Sequence, residues 1–153
     1  MFRSYVLRDL VESAADFAVV IDSSPAAANN RTVRDFARCS RGDDRGLFGT
    51  PVLLTGIAGD SADEDEPAQG RWIGMLKVSR HGLTLLKAAL SELRLRADFD
   101  ALDLPALLNK LIADGTAIEV IYVHGHWRGV NDLEEFHRAA DFAHAHPRSG
   151  SST

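Results

Sequence analysis

The chain has 153 residues, 45% of them apolar, with 17 basic and 22 acidic side chains and a formal charge of −5, a size and polarity suited to one domain with one modest core. The basic residues are scattered rather than gathered into a stripe, which argues against a nucleic-acid partner, and no apolar run reaches the roughly 20 residues that cross a bilayer, which argues against a membrane one. Cys39 is the only cysteine, so an intramolecular disulfide and a thiolate zinc cluster are both excluded, and a reducing cytoplasm is the expected compartment.

Phe2, Tyr5, Val6, Leu7 and Leu10 recur at helical spacing and predict a helix over 2–11; Arg8 and Asp9 stand where a signal peptide would have its apolar core. The β-branched run 17–21, closed by Asp22-Ser23-Ser24-Pro25, predicts a buried strand running into a loop. Residues 34–40 alternate polar and apolar in the period of a half-exposed strand, with helix as the alternative, and 52–57 supply another strand. Five acids between 59 and 70 predict a solvated, mobile loop. A strand over 72–78 precedes a helix whose apolar stripe is Leu83, Leu85, Leu86, Leu90 and Leu93. A further helix starts near Asp103 as N-cap with Pro105 in its first turn, and Gly115 ends it. Residues 117–123 predict a strand, Asn131-Asp132 cap a last helix, and 147–153 read as a disordered tail. This alternation predicts an α/β domain over 1–146, a mixed, mostly parallel sheet with flanking helices.

The most distinctive segment is Trp127-Arg128-Gly129-Val130-Asn131-Asp132-Leu133. It resembles the Trp-rich turn and Asp-Val-Asn-Asp or Gly-Val-Asn-Asn stretch of nucleotidyltransferases acting on sugar phosphates and phosphonates. Gly70-Arg71-Trp72-Ile73-Gly74-Met75-Leu76-Lys77 resembles the same family's Gly-Glu-Trp-Ile-Gly-Leu-Leu-Lys strand, which passes the acceptor. Phe2-Arg3-Ser4-Tyr5-Val6-Leu7 followed by Asp16-Phe17-Ala18-Val19-Val20-Ile21-Asp22 resembles its mid-domain helix and strand. In this order they look like the second half of the phosphonate-pathway nucleotidyltransferase domain, the one often fused after phosphoenolpyruvate mutase. The fold so implied is the C-terminal half of a nucleotide-diphospho-sugar transferase, GT-A-like. The chain departs from that pattern at Gly129, where phosphonate-type members carry Asp, and at Arg71, where they carry Glu.

The resemblance implies cytidylyl transfer to a small phosphonate, with Asn131 as a ligand of Mg²⁺ and Arg38, Trp72, Lys77 and Trp127 around the acceptor. The glycine-rich loop and Lys that hold the nucleoside triphosphate would lie upstream of Met1, so this half is expected to be inactive alone. Residue chemistry leaves other readings beside these. Asn131 and Asp132 also suit helix capping, and Trp72 and Trp127 also suit core packing. His124 and His126 with His137 invite a zinc hydrolase, Cys39 a thiol nucleophile, and the acidic loop a Ca²⁺ site lacking the ligand spacing of a calcium loop. A non-catalytic interaction or regulatory module, forming a homo-oligomer or pairing its sheet edge with a partner chain, is the alternative from a different class.

Overall fold

The computed structural model describes residues 4–24, 35–44, 50–58 and 68–125. In chain order they form α1 (Ser4–Glu12), β1 (Phe17–Asp22), β2 (Phe36–Cys39), β3 (Leu54–Ala58), β4 (Gly70–Val78), α2 (Arg80–Leu93), a 3₁₀ turn (Phe99–Ala101), α3 (Leu104–Ala113) and β5 (Glu119–Val123). The sheet order is β3-β2-β4-β1-β5.

All six residues of β1 are buried because both faces of this strand are covered. On one face Phe17, Val19 and Ile21 pack with Trp72, Ala37, Ile118 and Val120 against Ala89 of α2 and Leu108 and Leu111 of α3. On the other, Ala18, Val20 and Val123 meet Val6 and Leu10 of α1. The sheet is mixed, but the expectation of mostly parallel strands is corrected: β1 and β5 run parallel, whereas β1 with β4, β2 with β3 and β2 with β4 run antiparallel. β1 shows why direction is hard to read: buried on both faces, it pairs with one neighbour in each direction, so its apolar run carries no sign of either.

The helix signals act as their chemistry dictates. The Asp103 carboxylate accepts from the Ala106 amide at the start of α3, with Pro105 in its first turn. At the other end Gly115 adopts φ +82°, Thr116 N donates to Leu111 O and Gly115 N to Ile112 O, the paired bonds of a Schellman stop. Within β4, four residue steps from Trp72 to Leu76 oppose two steps from Ile21 to Val19, and Gly74 takes up this bulge at φ +80°.

The two ends of the sheet order are joined. Leu53, just before β3, bridges Glu119 of β5, with Leu54 N donating to Ile118 O at 2.9 Å and Val120 N to Val52 O at 2.8 Å. Over β3, Asn109 of α3 uses its side-chain amide as a strand would: Oδ1 accepts from Ile57 N at 2.9 Å and Nδ2 donates to Ile57 O at 2.8 Å. Of the acidic stretch 59–70 only 68–70 are described; Gly70 already belongs to β4, and Gln69 Oε1 accepts from Cys39 N at 2.7 Å.

Candidate functional site

The parallel pair β1 and β5 brings two strand carboxyl ends together at one end of the sheet. Asp22 ends β1 there and is 4% exposed, the one buried charged residue among those described. A carboxylate at that depth needs donors, and its Oδ1 takes two backbone N–H groups, from Ser24 at 2.9 Å and Gly125 at 3.0 Å. Asp22 thus ties the loop after β1 to the turn after β5, the turn that leads directly towards Gly129–Asp132. Ser23 supports the tie, its N–H on Val123 O at 2.9 Å and its hydroxyl on Asp43 at 2.6 Å.

Cross-strand register then sets a charged row beside it. Asp22 stands opposite Arg71, and Arg71 opposite Phe36. Arg38 lies two residues along β2 from Phe36 and therefore on the same face. Two half-buried guanidiniums and a buried carboxylate consequently share one end of the sheet. Asp35 opens β2 at φ +77°, a left-handed backbone that aspartate tolerates better than most residues. Of the residues expected at a site, Arg38 is here. Arg71 and Asp22 were not among them, although a charged residue closing an all-apolar strand is a signal the sequence offers.

The other expected residues sit elsewhere. Trp72 is 5% exposed in the core, and its indole N–H donates to Met75 O at 2.9 Å across the β4 bulge, so packing occupies both its ring and its polar handle. Lys77 pairs in register with Ala18, near the other end of β1, about 13 Å along the strand from Asp22. Its ammonium donates to Ser13 O at 2.9 Å and to Ala15 O, pinning the link between α1 and β1. Lys77 and Arg38 therefore do not form one cluster. Trp127 and Asn131, like His126 and His137 of the zinc reading, lie outside the described residues.

Titratable groups sharpen this picture. At the start of α2 the Asp16 carboxyl is held below its ordinary range by the Ser79 hydroxyl first, then by His81 and the nearby Lys77 charge. Ser79 is at the same time the N-cap, accepting from Gly82 N. Burial pushes the Cys39 thiol up, so at 8% exposure it stays protonated and packs as a small apolar residue, not as a nucleophile. Burial likewise raises Tyr122, whose hydroxyl donates to Arg41 O at 2.7 Å. Among the described residues no group of three His, Cys, Asp or Glu side chains is placed to hold a metal ion, and no helix is long and apolar enough to cross a membrane.

No protein-family model and no curated protein matches the chain. Among solved structures, it is similar to a nucleoside-diphosphate-sugar pyrophosphorylase from Vibrio cholerae RC9, at 14% identity and a TM-score of 0.48, over 93% of this chain and 49% of that one. The chain thus spans about half the length of that structure.

Proposed function

We propose that this chain is the acceptor-binding half of a nucleotidyltransferase-type domain of phosphonate metabolism, cytidylyl-transferring and associated with phosphoenolpyruvate mutase. The observation that carries the reading is the Asp22 tie. It fixes the carboxyl ends of β1 and β5 side by side, with Arg71 on β4 next to β1 and Arg38 on β2 one strand further. Guanidinium groups are suited to phosphonate oxygens, which they meet through paired, charge-assisted hydrogen bonds. In this reading Arg38 and Arg71 hold the acceptor oxyanion and Trp127 walls the cleft. Asn131 is a hard oxygen ligand of Mg²⁺, the ion that neutralises phosphate charge when bound. Positioning and charge neutralisation carry most of the catalysis in phosphoryl chemistry, and in this reading the two guanidiniums supply the positioning of the acceptor.

The test is ³¹P NMR titration of methylphosphonate into the purified chain with and without Mg²⁺. Saturable binding is expected, weakened on the order of 10-fold by Arg38→Gln and by Arg71→Gln, and losing its Mg²⁺ dependence in Asn131→Ala. No saturable binding, or binding indifferent to both arginine variants in folded protein, refutes the reading. A second reading, a non-catalytic module that binds another chain, is favoured by Leu7 and Val11, which stand 46% and 64% exposed one turn apart on α1. A stable monomer at high concentration in light scattering, unchanged by Leu7→Glu, counts against self-association as its form.

A further inference from the structure

At the opposite end of the sheet from Asp22 lies an open groove of about 710 Å³, within the size range of small-molecule sites. Its apolar wall comes from Ala14, Pro51, Leu53, Leu85 and Ala117, and its polar wall from Asp16, Asp114 and Glu119. Among the described residues no lysine or arginine lines it. The three carboxylates come from three separate places: the residue before β1, the end of α3 and the start of β5.

Charge decides what such a groove accepts. Asp114 is ion-paired with Lys110, and Asp16 has the Lys77 ammonium beside it together with His81 and Ser79. Glu119 has instead a neutral partner, the Ser13 hydroxyl at 3.0 Å on Oε2. Lys110 is shared between Asp114 and Glu92, so the groove keeps a negative balance, and Glu119 is the carboxylate in it that faces a hydroxyl rather than a cation. The absence of a three-ligand cluster among the described residues argues against a metal ion. We infer that the groove binds an organic monocation, a primary ammonium with a short apolar body, its nitrogen on Glu119 and its body against Leu53 and Leu85. This rests on residues separate from those of the proposed acceptor site.

The test uses 2-phenylethylammonium as probe, followed by ¹H–¹⁵N correlation spectra of the full chain, with 2-phenylethanol as the neutral isostere and 3-phenylpropionate as the anionic one. Saturable shifts confined to the amides of 14–16, 52–54, 85 and 114–119 are expected, with a Kd on the order of 1 mM. The alcohol should bind at least about 5-fold more weakly and the anion not at all. Glu119→Gln should weaken the ammonium to the level of the alcohol. Ala117→Trp, at an exposed wall position, should block both, and it serves as the deciding variant if Glu119→Gln disturbs the fold. Equal affinity for ammonium and alcohol, shifts elsewhere in the molecule, or binding that survives Ala117→Trp overturns the inference.

Discussion

Asn109 is where a single side chain finishes a sheet edge, and replacing it by alanine isolates that contribution. The substitution removes both hydrogen bonds to Ile57. Each such bond is worth about 0.5–1.5 kcal/mol net, and because Ile57 is only 5% exposed, water replaces them poorly. The expected loss is therefore near the top of the summed range, about 2–3 kcal/mol, against a total of roughly 5–15 kcal/mol for a domain of this kind. In urea the midpoint should fall by about 1 M with an unchanged slope, and hydrogen exchange at the Ile57 amide should accelerate. Asn109→Asp separates the two bonds: a carboxylate still accepts from Ile57 N–H but sets its second oxygen against Ile57 O. That clash raises the folded-state pKa of the new Asp, so the variant should be weakest above that raised value and recover as pH falls from it towards the ordinary carboxylate value. An alanine variant within about 0.5 kcal/mol of the parent, with Ile57 still protected, would refute the reasoning.

Gly82→Ala should destabilise although alanine is the better helix former. Its Cβ would meet the Asp16 carbonyl at 2.6 Å and Phe17 at 3.1 Å, and overpacking of about 1–3 kcal/mol outweighs a propensity gain of about 1 kcal/mol; a raised Tm would count against the packing described. Asp16→Asn should flatten the acid limb of the stability profile. A carboxyl whose folded pKa is depressed contributes stability above its ordinary value of 3.8 and loses it as pH falls through the folded value. Variant and parent should therefore differ at pH 7 and converge under acid in urea titrations, and parallel curves would sink the assignment. Trp72→Phe, which removes the indole donor to Met75, should lower stability by about 1–2 kcal/mol; an unchanged urea midpoint would show that the bulge does not depend on that bond.

Much of the fold is legible in the chain because its punctuation is chemical. Asp103, Pro105 and Gly115 bound α3 as cap, first-turn residue and stop, and the run from Phe17 to Ile21 is buried throughout as its β-branched content requires. Strand direction was not legible in β1, which is buried on both faces and pairs parallel with β5 and antiparallel with β4, whereas the alternation over 34–40 suits the antiparallel, half-covered strand that β2 forms. The bulge in β4 was equally hidden: Gly74 announces a departure from regular strand, but only the opposing register shows that two residues are extra. At the candidate site, Arg38 is named by its chemistry and the structure places it at the Asp22 end of the sheet, whereas Asp22 and Arg71 gain their relevance from adjacency across strands far apart in sequence. Lys77 illustrates the converse, a cation in a motif-like strand whose charge the structure spends on two main-chain carbonyls.

The seam between Leu53 and Glu119 also governs how a partner could approach. Where the amides of Leu54 and Val120 already satisfy carbonyls across it, an incoming strand finds no free template and cannot lengthen the sheet at that point. Recognition there has to proceed through side chains on a face or in a groove. Shape and charge, rather than main-chain pairing, then select the occupant.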